Sequence, residues 1–164
     1  MKPDYKNWVP RGLLFLLGGM AIICLALCIV FGMAGVATEG GLRIALGVLF
    51  GAAFLLFVVL TGIFANMYCA FSYDGKRKIS KRVIEGIAKY VTLPDGGRGL
   101  DVGCGSGALT IACAKRNPRA QMVGIDRWGK EYASFNLPLC ERNAEAEGVR
   151  NVSFTRGNAV KLDF

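Results

Sequence analysis

The chain has no histidine among its 164 residues, and none of its six cysteines forms a C-x-x-C pair. That excludes a zinc centre of the usual Cys/His spacing, and no metal site is expected. It also leaves no imidazole to activate a serine or cysteine nucleophile. Cys24, Cys28, Cys69, Cys104, Cys113 and Cys140 read as reduced, small hydrophobic residues. Charge is missing from two long stretches, between Arg11 and Glu39 and between Arg43 and Asp74. Each exceeds the roughly 20 apolar residues that cross a bilayer. With 53% hydrophobic residues, a disordered or collagen-like chain is excluded.

The two uncharged stretches predict transmembrane helices over about 12–34 and 43–65. The connection between them is short and glycine-rich, so residues 1–70 are expected to form an antiparallel hairpin with the lipid bilayer as partner. Lys2, Lys6 and Arg11 precede the first span, and Lys76, Arg77, Lys78, Lys81 and Arg82 follow the second. The positive-inside rule then puts both termini in the cytoplasm, which makes the chain an integral membrane protein with two spans. Trp8 and Tyr68 stand where interfacial aromatics are expected. Gly35-Val36-Ala37 resembles a signal-peptidase site, but a long apolar run and a second span favour an uncleaved anchor. Gly47 and Gly51 form a GxxxG, which marks close helix packing within the hairpin or a homo-oligomer.

Residues 71–92 form a basic juxtamembrane segment. The formal net charge of +8 raises nucleic acid as a partner. No aromatic-basic interleaving accompanies the cluster, so anionic lipid headgroups are expected instead and nucleic acid is not. Apolar positions 79, 83, 84, 87, 90 and 91 follow helical spacing. This predicts an amphipathic helix that packs on the next domain or lies on the membrane.

Residues 93–164 alternate strand and helix. Strands are predicted at 99–102, 121–125 and 151–155. Helices are predicted at 108–116 and about 130–147, the latter kinked or restarted at Pro138. The pattern indicates an α/β fold, the first half of a Rossmann-like, doubly wound parallel sheet. Gly103, Gly105 and Gly107 fall between the first strand and its helix, in the run Asp101-Val102-Gly103-Cys104-Gly105-Ser106-Gly107. Such a loop lets a ligand approach the backbone at a helix N-terminus. Asp126 ends the next strand, where a carboxylate can accept both hydroxyls of a ribose.

Gly103-x-Gly105-x-x-Ala108 fits a relaxed dinucleotide fingerprint, so an NAD-linked oxidoreductase is one reading. Gly103-x-Gly105-x-Gly107 preceded by Asp101 instead resembles motif one of the class I S-adenosylmethionine-dependent methyltransferases. Val123-Gly124-Ile125-Asp126 resembles that family's second motif, and Arg156-Gly157-Asn158-Ala159 its third. The resemblance implies S-adenosyl-L-methionine as cofactor. It puts Asp101 at the methionine end, Asp126 on the ribose and Arg127 and Trp128 beside the adenine. Gly157, Asn158 and Ala159 fall at the adenine amino group, with an amide where the family usually has a carboxylate. Cys104 and Ser106 are small loop residues on the cofactor rather than nucleophiles.

The family's domain continues beyond three strands and meets its methyl acceptor on later ones. The chain is therefore expected to be the front portion of a longer enzyme, inactive alone, with the first strand as a bare edge open to association. No catalytic residue is named, and the acceptor is unknown. A non-catalytic membrane protein carrying a degenerate α/β remnant is the alternative from a different class.

Overall fold

The computed structural model describes residues 1–129 and 134–162. Two compact units emerge. One comprises Asn7–Phe71 with Gly75–Arg77, and the other comprises Met1–Lys6, Ser72–Asp74 and Lys78 onward. Composition groups Met1–Lys6 with the hairpin, but those residues pack within the α/β unit.

The first unit holds α1 (Arg11–Leu27), which runs into a π-helical turn at Cys28–Met33, and α2 (Gly40–Phe71). Both helices are long and apolar enough to cross a membrane. Phe15, Ile22, Ile44, Val48 and Leu55 turn apolar side chains outward. The 32 residues of α2 extend about 48 Å, beyond the roughly 30 Å of a bilayer's hydrocarbon core. The helix therefore outlasts the expected span of 43–65. At the closed end of the hairpin, Gly32 meets Gly47: a Cβ added to Gly32 would lie 2.6 Å from the Gly47 Cα. The Cys28 thiol donates to the Gly47 carbonyl at 3.5 Å. Gly47 thus gives the backbones their close approach inside the hairpin. The Arg43 guanidinium donates to the carbonyls of Gly32 and Met33, which end the first helix without intrahelical partners. At the open end, the Asn7 amide donates to the Tyr68 carbonyl at 2.8 Å. Trp8 lies against Phe71, their ring centroids 5.5 Å apart.

The second unit holds α3 (Ile79–Ala88), β1 (Arg98–Val102), α4 (Ala108–Arg116), β2 (Gln121–Asp126), α5 (Leu137–Ala146) and β3 (Val152–Arg156). The strands are parallel in the order β1-β2-β3, with Asp101 level with Gly124 and Asp126 level with Arg156. The amphipathic helix ends at Ala88 rather than at residue 91. Lys89 and Tyr90 turn away, and Tyr90 is exposed. Its buried face, Ser80, Ile84 and Ala88, packs on the α/β core. The core joins Tyr5, Ile84, Ala108, Ile111 and Ala144, and continues through Ala88, Cys113, Ala114 and Met122.

The helix expected over 130–147 begins only at Leu137. Pro138 lacks an N–H and suits a first turn, and the Asn136 carboxamide caps it by accepting from Leu139 N–H at 2.9 Å. Residues 130–133 of that expected helix lie outside the described residues. Asn151 donates to the carbonyls of Ala114, Asn117 and Ala120, pinning the end of α4 to the start of β2. Among the described residues β1 has one strand neighbour, and its Leu100 and Val102 are exposed.

Candidate functional site

The glycine loop turns because alternate residues adopt a left-handed backbone. Gly103, Gly105 and Gly107 have φ of +80°, +55° and +78°. Any side chain there would strain the turn. Gly107 has a second reason to be glycine, and Gly124 of β2 shares it. A Cβ on Gly107 would lie 2.9 Å from the Phe154 ring, and one on Gly124 would lie 2.7 Å from it. Phe154 of β3 therefore sits beneath the point where the loop enters α4. By contrast, a Cβ on Gly103 would meet nothing within 4 Å. The outer surface of the loop is open at that residue, as a backbone cradle for a ligand requires.

The loop is tied to the end of β2. Gly103 and Cys104 N–H groups both donate to the Ile125 carbonyl, at 2.7 and 3.0 Å. The Asp126 carboxylate accepts from Gly105 N–H at 2.8 Å and from Trp128 N–H at 2.7 Å. The sequence-expected pairing of glycine loop and strand-end acid is thus a direct contact. Trp128 takes an unusual φ of +43°, and its indole N–H donates to the Gly105 carbonyl at 2.9 Å. The Cys140 thiol donates to the same carbonyl at 3.1 Å.

Asp101 lies one strand over and accepts from the Thr110 hydroxyl at 2.6 Å. Burial raises its carboxyl above the ordinary 3.8, and the nearby Asp126 charge adds to the rise, while the Thr110 hydrogen bond opposes it. The Cys104 thiol is pushed up, first by its hydrogen bond with Cys140 and then by burial. A raised thiol pKa disfavours the thiolate.

The residues expected around the cofactor thus divide. Asp101, Gly103, Cys104, Gly105, Ser106, Gly107, Asp126 and Trp128 converge on one loop and its supports. Arg127 is exposed beside Asp126. Gly157 N–H donates to the Asp126 carbonyl at 3.0 Å, which brings the third motif to the end of β2. Asn158 and Ala159 are exposed, and the Asn158 carboxamide accepts from Val160 N–H at 3.0 Å in a tight turn. Thr110, Cys140 and Asn143 are participants that sequence reasoning missed. Thr110 gives a weak signal as a hydroxyl in the apolar first turns of α4. Cys140 and Asn143 give none. Among the described residues no cluster of His, Cys, Asp or Glu forms a metal site.

A family profile described as "Methyltransferase domain" matches residues 93–164. That segment is similar to a methyltransferase domain. The three parallel strands and the glycine loop all lie inside the matched segment. The release factor glutamine methyltransferase of Geobacter sulfurreducens is 42% identical over 55 residues, covering 34% of this chain and 18% of its own. The demethylmenaquinone methyltransferase of Geobacillus kaustophilus is 31% identical over 81 residues, 49% of this chain and 32% of its own. Among solved structures, YcgJ of Bacillus subtilis is 27% identical, with a TM-score of 0.41 over 51% of this chain and 33% of that one. The matched segments span between 18% and 32% of the first curated relatives. The cofactor of the family is S-adenosylmethionine.

Proposed function

We propose that this chain is the membrane-anchored, cofactor-binding portion of an S-adenosylmethionine-dependent methyltransferase. The observation that carries the reading is the Asp126 carboxylate at the end of β2, hydrogen-bonded to Gly105 N–H of an open, left-handed glycine loop. A carboxylate so placed accepts ribose hydroxyls, and the loop backbone receives the amino-acid end of the cofactor. Asp101, ionised, would meet the ammonium of that end. Arg127 and Trp128 would flank the adenine, and Gly157, Asn158 and Ala159 would border its amino edge. When bound, the cofactor supplies an activated methyl group on a sulfonium, so the protein's task is to position it and to exclude water.

The apolar surface of the hairpin supports an anchor with both termini on the cytoplasmic side, where the basic residues that follow α2 meet anionic headgroups. A cofactor unit tethered in this way favours a membrane-soluble acceptor.

Calorimetric titration of the detergent-solubilised chain with S-adenosylhomocysteine, with NADH as control, tests the cofactor. Saturable binding of the first alone is expected. Binding of NADH instead would overturn the reading. Alkaline carbonate extraction tests the anchor: the chain should stay with the membrane pellet, and release into the supernatant would refute it.

A further inference from the structure

Apart from the Asp4–Lys6 ion pair, Asp4 and Tyr5 make contacts far along the sequence. The hairpin, Asn7–Phe71, intervenes before the chain returns to the α/β unit. Yet Tyr5 is only 4% exposed, with its ring in the core among Ile84, Ala108, Ile111 and Ala144. Its hydroxyl donates to Glu147 at 3.0 Å. The link to the glycine loop runs through Asn143 of α5, which is 2% exposed. The Asn143 carboxamide oxygen accepts from Asp4 N–H at 2.7 Å. Its two N–H groups donate to the Asp4 carbonyl and the Ser106 carbonyl, each at 3.0 Å. The Ser106 hydroxyl completes the circuit by donating to the Tyr5 carbonyl at 3.2 Å.

Ser106 lies between two left-handed glycines, Gly105 and Gly107. Glycine backbone is the costliest to order, so beyond its one internal bond, Gly107 N–H to the Cys104 carbonyl at 2.8 Å, the loop depends on restraints from outside it. Asp126, Trp128 and Cys140 restrain Gly105. Ser106 is restrained by Asn143 and by the Tyr5 carbonyl. Both donors of the Asn143 amide are spent, one on Asp4 and one on Ser106, so the first residues of the chain fix the orientation of the group that grips the loop.

We infer that Met1–Lys6 is a strap that positions the glycine loop through Asn143, so that cofactor affinity depends on the segment preceding the first hydrophobic helix. This rests on the cofactor reading above. Asn143 acts through Ser106 and does not itself meet the cofactor. One consequence is that removing everything before Ser72 to obtain a soluble α/β unit would also loosen its cofactor loop.

The test uses the full chain in lipid nanodiscs, with two readouts. Hydrogen exchange of the segment 102–108 without ligand reports loop order. Titration with S-adenosylhomocysteine reports affinity. The variants are Asn143→Ala, the volume-preserving Asn143→Asp, which cannot donate to Ser106, and replacement of residues 2–6 by Gly/Ser. Each should speed exchange across 102–108 and weaken binding about tenfold, the effect of losing one or two buried hydrogen bonds. Combining Asn143→Asp with the strap replacement should be no worse than either alone. Leu93→Ala, a change in the second core cluster, which includes neither Tyr5 nor Asn143, should lower the melting temperature and leave both readouts as in the wild type. Wild-type exchange and affinity in the strap replacement and in Asn143→Asp would overturn the inference. So would equal losses in Leu93→Ala. Failure of the wild type to bind S-adenosylhomocysteine would sink the cofactor reading alone, because ligand-free exchange still reports on the strap.

Discussion

Replacing Asp126 with alanine separates two jobs of its carboxylate, the loop contacts it makes and the ribose contact proposed for it. In the ligand-free protein it accepts backbone N–H groups from Gly105 at 2.8 Å and Trp128 at 2.7 Å. Hydrogen bonds to a charged group contribute about 1.5–3 kcal/mol each when buried. Asp126 is half-buried, so solvent screening lowers each bond, and about 2 kcal/mol for the pair is a reasonable expectation. For an α/β unit of this size that lowers the melting temperature by roughly 8–16 °C. The second job is the ribose. Losing its hydrogen bonds should cost about 1.5–3 kcal/mol of binding, roughly 10- to 150-fold in affinity. Differential scanning calorimetry reads the first effect and titration with S-adenosylhomocysteine the second. Asp126→Asn keeps one acceptor and should fall between wild type and the Ala variant in both. If the Ala variant melts earlier but binds as tightly as wild type, the carboxylate is a strut for the loop and the ribose assignment is wrong. If neither quantity moves, the role of Asp126 in ordering the loop is wrong as well.

Burial and the Asp126 charge raise Asp101 in the folded protein, so the folded state holds its proton to higher pH than the unfolded state does. Unfolding stability contributed by this group should fall as pH rises from about 3.8 through the folded value, and then stay level. If Asp101 meets the cofactor ammonium as proposed, binding needs its ionised form and should weaken as pH drops through that raised value. Asp101→Asn should remove this pH dependence, and a titration series whose slope survives the substitution would assign it elsewhere. Gly107→Ala forces a left-handed alanine against the Phe154 ring and should destabilise the α/β unit by about 2–4 kcal/mol in denaturant titration. Phe154→Leu should recover only the steric component. In the hairpin, Gly32→Val must push apart the helix backbones that touch at Gly47, whereas Gly12→Val meets open space. SDS-induced unfolding should therefore register a loss of about 1–3 kcal/mol for the first and little change for the second.

The order of elements in the α/β unit was legible because it rests on local signals. Apolar runs of strand length, the stop at Asn117-Pro118 and glycines at alternate positions each act within a few residues. Asp126 was legible for the same reason, since the end of a strand is a local feature. Pro138 reads in the sequence as a kink or a restart within a longer helix; its missing N–H suits a helix start, and the Asn136 cap decides for the start. The strap was not legible. Asp4 and Asn143 are 139 residues apart and joined through the Asp4 backbone, which no side-chain pattern encodes. Trp128 shows the same limit on a smaller scale. Its position beside the strand-end acid was expected, but its left-handed backbone and its indole bond to Gly105 come from the loop it meets. Thr110 falls between these cases: a lone hydroxyl in an apolar helix hinted at a partner, and the register of β1 against α4 supplied Asp101.

If the loop Gly103–Gly107 and the strand-end Asp126 form one site for an adenosyl cofactor, the two segments should respond to that cofactor as a unit. Hydrogen exchange of the full chain in nanodiscs, with and without saturating S-adenosylhomocysteine, tests this most directly. Protection is expected to rise in 102–108 and 124–129 together, while α1 and α2 are unchanged. Saturable binding with protection confined to other segments, or no protection anywhere in a folded protein, would contradict it.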